Sequence, residues 1–166
     1  MDPNKAHYVA VTAIIVKDGK FLIVRRAPGE KTFPNKWTVP GGRLEVDDYT
    51  KKSKDTAEAW YDVAEDLVKR EVREEVGLEI NNIKYLTNLT FIRPDNIPVF
   101  VLSMIADYLS GQIILSNELT EYAWVDLKEA KKYDFISGIY EEIKMANLHL
   151  QGKPITTWKD HKNDVQ

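Results

Sequence analysis

The sequence predicts an α+β fold in which a mixed β-sheet packs between helices. Three observations carry that prediction. The chain opens with two β-rich runs joined by a turn; a long stretch of good helix formers follows and ends at a glycine; further β-rich runs then precede a terminal helical region. Helices on both faces of one sheet give an α/β/α sandwich, and 166 residues suffice for a single domain, residues 1–166.

Residues 8–16, YVAVTAIIV, and 20–26, KFLIVRR, are rich in β-branched side chains. The KDG between them is a hairpin signal, because Asp18 and Gly19 accept left-handed dihedrals. Pro28, Gly29 and Pro34 then mark a loop. A short extended piece at 37–39 runs into Pro40, Gly41 and Gly42, where the glycines let backbone approach a ligand. From Thr56 to Val76 neither proline nor glycine interrupts the helical composition; Gly77 is placed to end that helix, and Ser53 or Asp55 to cap its start. Strands are expected at 83–92, 97–109, 112–115 and 121–125. Residues 127–150 supply one or two late helices with Gly138 as the weak point, and the polar tail 151–166 is expected to be partly mobile.

Composition narrows the function. With 43% hydrophobic and 30% charged residues the chain reads as soluble and globular. A formal charge of −3 provides no basic footprint for polymeric nucleic acid, while single nucleotides stay open as partners. The absence of cysteine excludes disulfides, thiolate metal sites and cysteine nucleophiles together. No apolar run reaches the length of a membrane span and the opening residues lack the apolar core of a signal peptide, so the expectation is a cytoplasmic protein with no membrane partner.

The chemistry concentrates in KREVREEVGL, residues 69–78. At about 100° per residue, Glu71 and Glu75 lie roughly 40° apart and Glu74 about 60° to the other side of Glu71, so three carboxylates share one arc of the helix. Val68, Val72 and Val76 form a separate apolar stripe. Such like charges cost an isolated helix about 0.2–0.5 kcal/mol per pair. They become useful around a divalent cation, because Mg2+ takes oxygen ligands from one or two carboxylates together with substrate phosphates. Gly41 and Gly42 can add a carbonyl to such a site or N–H groups to phosphate oxygens, with Arg70 and Arg73 orienting the carboxylates. Taken alone, the same pattern also describes a solvated helix face laced with ion pairs.

PGGRLE at 40–45, followed by REVREEVGL at 70–78, resembles the two halves of the signature of the Nudix hydrolases, metal-dependent enzymes that split nucleoside diphosphates linked to another moiety. The second half matches the family pattern throughout: Arg-Glu, an apolar residue, any residue, Glu-Glu, any residue, Gly, an apolar residue. AVTAIIVKDGKFLIVRR resembles the family's opening hairpin, and NELTEYAWVDLKEA its late acidic loop, strand and helix start; the likeness spans residues 8–148 and implies a Nudix-like sandwich. Between the halves the chain departs from the pattern. Counted forward from Gly42 the family's acidic position falls on Asp48, and counted back from Arg70 it falls on Asp62. An insertion after Asp48, residues 49–67, made of a loop and a lengthened helix start, keeps both halves intact and is the favoured reading, since loop-closure entropy rises only slowly with length.

The resemblance implies Mg2+ or Mn2+ as cofactor and attack of water on a phosphorus of the diphosphate. It assigns Glu71, Glu74 and Glu75 as metal-coordinating and base-positioning carboxylates, Gly41 as a carbonyl ligand and Arg70 as the orienting arginine. Glu118, six residues before Trp124, resembles the family's extra acidic ligand and is favoured over Glu121 for the general base; Glu45 is left between ligating metal and pairing with an arginine. The loop RRAPGEKTFPNKWTVPGG resembles that of members hydrolysing nucleoside triphosphates, which implies a nucleotide met by Arg25, Arg26 and Gly42, with Phe33, Trp37, Phe91 or Phe100 able to stack on a base. Pro94, sixteen residues after Leu78, has a spacing associated with ADP-ribose-cleaving members, so an ADP-ribose or nucleotide-sugar pyrophosphatase is the alternative. A non-enzymatic nucleotide-sensing or protein-binding module is a third reading. Trp60, Val63 and Leu67 need cover that a second subunit would supply, which makes a homodimer an expectation.

Overall fold

The computed structural model describes residues 2–162, apart from the side chain of Pro3. Strands β1 (Tyr8–Lys17) and β2 (Lys20–Arg26) form the expected hairpin, turned by Asp18 and Gly19 at φ of 51° and 73°. Next come β3 (Trp37–Thr38), β4 (Gly41–Arg43), a short helix α1 (Asp47–Thr50) and the helix α2 (Val63–Val76). The long hairpin β5 (Leu78–Ile92) and β6 (Pro98–Gly111), then β7 (Leu119–Val125) and helices α3 (Leu127–Ala130) and α4 (Ile139–Leu150), complete the order. The strands make one sheet in the order β3-β2-β1-β6-β5, with β4 added to β1 and β7 to β2. It is mixed, because β1 and β6 run parallel while the other pairs are antiparallel.

The period-2 alternation of strand side chains builds two cores. Val11, Ala13 and Ile15 of β1, with Leu22 and Val24 of β2, face one way and pack against Leu67, Val68, Val72 and Val76 of α2. Their neighbours Ile14, Val16, Phe21 and Ile23 face the other way, against Ile139, Ile143 and Ala146 of α4. The predicted α/β/α sandwich follows. Full burial of each such aliphatic side chain contributes about 1.5–3 kcal/mol, so packing on both faces holds the two elements, β1 and α2, on which the site is built.

Several expectations are corrected. Helix α2 begins at Val63 and not at Thr56. Upstream, the Thr56 hydroxyl accepts the N–H groups of Glu58 and Ala59, and the Asp55 carboxylate accepts that of Tyr61. Side-chain capture of local N–H groups competes with helix formation. Asp62, at φ 53°, then turns the chain into α2, so neither Ser53 nor Asp55 is its N-cap. Leu67 is buried against the sheet, while Trp60 packs on Tyr49 with ring centroids 5.2 Å apart, so the cover sought from a second subunit comes from within the chain for both. Residues 112–115 are not a strand: Ile114 and Ser116 N–H groups donate to the Val76 and Glu75 carbonyls, satisfying acceptors that the end of a helix leaves open. The late helical region splits at Gly138, whose φ of 100° precedes α4.

The described part of the tail is docked, with Trp158 donating its indole N–H to the Gly138 carbonyl at 3.2 Å and His161 buried. Residues 163–166 of the expected mobile tail lie outside the described residues. Among the described residues no helix is long and apolar enough to cross a membrane.

Candidate active site

The site forms where β4 is wedged between β1 and α2. β1 pairs with β2 only near their turn; its earlier residues Ala10, Val11 and Thr12 pair with Arg43, Gly42 and Gly41. Two glycines make this close approach feasible. A Cβ on Gly41 would stand 2.1 Å from the Val11 carbonyl oxygen, and one on Gly42 would stand 2.1 Å from the Glu71 carboxyl carbon. Pro40 adds its carbonyl to the Ala13 N–H at 2.9 Å.

Helix α2 presents its carboxylates to this wedge. Val68, Val72 and Val76 are fully buried in the core, which fixes the helix rotation and leaves Glu71, Glu74 and Glu75 toward β4. Glu75 is itself buried and accepts the Gly41 N–H at 2.8 Å. Burial pushes its carboxyl up to about 8; the Gly41 bond opposes that, while Glu71 and Glu118 push it further up. Burial also raises the Glu71 carboxyl, with the Arg70 guanidinium pulling the other way.

Arg70 organises the exposed side of the cluster. Its guanidinium donates to both oxygens of Asp48, at 2.6 and 3.2 Å, to Glu74 at 2.6 Å and to Glu71 at 2.8 Å. Asp48 in turn accepts the Glu45 N–H at 2.7 Å, fastening the turn after β4 to α2. Asp48, and not Asp62, therefore meets Arg70. Glu118 arrives from the loop before β7, tied to α2 by the Ser116 N–H bond to the Glu75 carbonyl and to the β2 end by the Ala27 N–H bond to its own carbonyl.

Gly41, Gly42, Arg70, Glu71, Glu74, Glu75 and Glu118 line one polar hollow of about 290 Å³, and Glu45 joins them. Its donor set is entirely oxygen, of the hard kind that divalent alkaline-earth ions take. Among the described residues no three acidic, histidine or cysteine side chains are already gathered as a cation cluster. Arg70 instead spans Asp48, Glu71 and Glu74, and Glu75 is turned to Gly41.

Gly41, Gly42, Glu75 and Glu118 also line a second, larger cavity of about 760 Å³ that extends to Ile139 and Glu142 of α4. Arg26 and Phe33 line it as well. Arg26 is held by Glu30 at 2.8 Å and by the Thr32 carbonyl at 2.8 Å. Phe33 is exposed and has φ 51°, a conformation uncommon for a bulky residue, and its ring lies 5.6 Å from that of Phe91. Arg25 lines neither space: it pairs with Glu121 and bonds the Asn35 carbonyl. Trp37 packs on Tyr133, with ring centroids 4.7 Å apart. Arg73 makes a two-pronged pair with Glu79, at 2.6 and 2.9 Å, away from the hollow.

Sequence reasoning missed Glu142, buried in α4 and lining the larger cavity. Its signal was present: Ile139, Glu142, Ile143 and Ala146 share one helical stripe, so a carboxyl stands at an otherwise apolar, buried position.

The NUDIX domain family profile matches residues 6–144. The chain is 25% identical over 151 residues to a nucleoside triphosphatase NudI of Escherichia fergusonii, spanning 83% of this chain and 95% of that protein. Its fold resembles a MutT NUDIX hydrolase of Burkholderia pseudomallei with a TM-score of 0.66 at 19% identity, covering 84% of this chain and 98% of the other. It also resembles an ADP-ribose pyrophosphatase of Streptococcus suis, with a TM-score of 0.64 at 19% identity over 92% of this chain and 98% of that one.

Proposed function

The chain belongs to the NUDIX domain family, hydrolases acting broadly on nucleotide and phosphoanhydride substrates, and from that premise we propose that it cleaves a nucleoside triphosphate to the monophosphate and pyrophosphate with Mg2+ or Mn2+. The observation that carries this reading is the junction of the two spaces. A carboxylate-lined hollow and a roomier, partly apolar cavity share Gly41, Gly42, Glu75 and Glu118 in their walls. A substrate with a single nucleoside and a charged phosphate chain matches that pair. The nucleoside triphosphatase relative supports it.

Glu71, Glu74, Glu75 and Glu118, with the Gly41 carbonyl, would hold the divalent ion that the family typically uses. When bound, that ion neutralises phosphate charge and lowers the pKa of water. The chain's own residues do the rest. Arg70, anchored by Asp48, fixes Glu71 and Glu74 in direction. Gly42 leaves the Glu71 carboxylate its space. Phe33 and Phe91 offer aromatic surface to a base, and Arg26 sets positive charge beside Glu75. Glu118 is exposed, and among the described residues no hydrogen bond or ion pair engages its carboxylate. It accepts the proton of the water that attacks the α-phosphorus, and pyrophosphate leaves.

A phosphate-coupled screen of nucleoside triphosphates, ADP-ribose, nucleotide sugars and dinucleoside polyphosphates tests this reading. The expected result is a kcat/KM for a triphosphate more than about tenfold above the others, about 1.4 kcal/mol of transition-state discrimination. The same margin in favour of ADP-ribose would reassign the substrate. Binding without product from any of them would point to a nucleotide sensor.

A further inference from the structure

Glu142 is a carboxyl in an unexpected place. It lies on the first turns of α4, is 2% exposed, and stands on the stripe of that helix that faces the sheet. Its Oε2 accepts the hydroxyl of Ser103, a fully buried residue of β6. One hydrogen bond is poor provision for a carboxylate, whose two oxygens offer about four acceptor sites. Among the described residues no hydrogen bond or ion pair engages Oε1. Glu142 lines the larger cavity, and Oε1 is the oxygen that Ser103 leaves open.

The rest of that cavity explains what Oε1 would meet. At one end are Gly41, Gly42, Glu75 and Glu118, the phosphate end of the proposed substrate. The same cavity is lined by Val39, Val99, Val101 and Ile139, which cannot hydrogen-bond a ligand through their side chains, and by a few polar groups such as Thr38, Ser137 and Arg93. A carboxylate buried on α4 and reaching this cavity is an acceptor suited to a donor on the base. Burial raises the carboxyl to about 7, a cost of desolvation that the Ser103 bond only partly offsets. A ligand N–H would complete the set.

We propose that Glu142, anchored by Ser103, selects nucleobases that carry an exocyclic amino group, which donates to its Oε1. This rests on the reading of the site as a nucleoside triphosphate hydrolase and adds the class of base. Adenine, cytosine and guanine have such an amine. Uracil presents a carbonyl oxygen where cytosine has the amine, and once Glu142 is ionised, above about pH 7, two acceptors would face each other without a proton between them. A site built to bond a substrate N–H discriminates more sharply than an apolar pocket can, because its own polar atom is left unpaired by the wrong ligand.

Two matched pairs test the proposal: cytidine against uridine triphosphate, and adenosine against inosine triphosphate, each differing at the amino position. In the better-used pair, measured at about pH 8 or above so that Glu142 is ionised, wild type should show at least about a tenfold preference in kcat/KM for the amino base, carried mainly by KM. Glu142→Gln keeps the shape but adds an amide N–H that can donate to a carbonyl oxygen, and should shrink the ratio to within about threefold by improving the oxo base. Ser103→Ala frees the carboxyl from its anchor and should weaken the preference in the same direction, which covers a Glu142 variant that fails to fold. A ratio unchanged in the variants, or no preference in wild type, overturns the proposal. If wild type cleaves no triphosphate, the hydrolase reading fails on its own. Calorimetric binding of cytidine against uridine monophosphate and adenosine against inosine monophosphate, without metal, then decides: preference for an amino base that Glu142→Gln abolishes sustains the role of Glu142, and equal binding ends it.

Discussion

Arg70 grips Asp48 through two parallel hydrogen bonds, Nε to Oδ1 at 2.6 Å and Nη2 to Oδ2 at 3.2 Å, across the 22 positions that separate them in the chain. The remaining Arg70 nitrogen capacity reaches Glu71 and Glu74. Asp48 is thus the fixed end of a chain of contacts that ends at the hollow. Removing such a supporting partner typically costs about 10- to 100-fold in activity or metal affinity, so Asp48→Ala should lower kcat within that range. Asp62 only turns the chain into α2, and Asp62→Asn, which tolerates the same left-handed backbone, should leave kcat within about threefold. Steady-state kinetics of the two variants side by side checks this; the reverse order of losses would move the acidic position to Asp62.

The adjacent glycines should fail in different ways. An added methyl at Gly42 meets the Glu71 side chain, which can move, so Gly42→Ala should keep its fold and lose kcat by about 10- to 100-fold through a displaced carboxylate. At Gly41 the methyl meets the Val11 carbonyl and Thr12 Cα, both backbone. Gly41→Ala should therefore lower the melting temperature, with overpacking costs of about 1–3 kcal/mol, because β4 has to leave β1. Thermal melts and kinetics together separate the two; a stable, fully active Gly42→Ala would show that Glu71 is not needed where it stands.

Chelation probes the oxygen-donor hollow directly. Turnover should vanish in excess EDTA and return with Mg2+ or Mn2+, and calorimetric Mn2+ affinity should fall in Glu74→Gln, Glu75→Gln protein. Glu75 is buried and raised to about 8, so its amide should also relieve the ion-free fold of an uncomfortable group. Undiminished turnover in chelator would place the chemistry outside this cation scheme, and unchanged affinity in the double variant would move the ion to other ligands.

The carboxylate face of α2 was legible because helical periodicity alone separates Glu71, Glu74 and Glu75 from the valine stripe. The opening hairpin and the glycine wedge were legible for similarly local reasons, a turn signal and two adjacent glycines before an acidic helix. Counting positions could not decide between Asp48 and Asp62, because the chain closes that distance only through the fold. The start of α2 escaped composition, since Thr56 and Asp55 spend their side chains on nearby N–H groups and a helix-forming segment becomes a loop. Arg25 and Arg26 look equivalent as a pair, yet neighbouring strand residues point to opposite faces: Arg26 reaches the cavity and Arg25 reaches Glu121. The larger cavity had no local signature, because β1, β6, the loop after β2 and α4 meet there from distant parts of the chain.

The buried Glu142 should leave a pH signature in stability that is independent of any substrate. Its carboxyl is raised from 4.5 to about 7, by burial first and by Glu141 to a smaller extent, against the Ser103 bond. Between those values the folded protein holds a proton that the unfolded chain releases, so wild-type stability falls as pH rises through that window and is level above it. The full shift corresponds to about 3 kcal/mol. Glu142→Gln removes the titration while keeping the volume. Its melting temperature relative to wild type should therefore rise between pH 5 and pH 8, by roughly 5–10 °C at about 2–4 °C per kcal/mol for a chain of this size. Glu75 shares the same sign of pH dependence but is present in both proteins, so it cancels in the difference. Thermal melts of the pair across that pH range give the answer, and an offset that stays constant from pH 5 to pH 8 would mean that Glu142 titrates alike in the folded and unfolded chain.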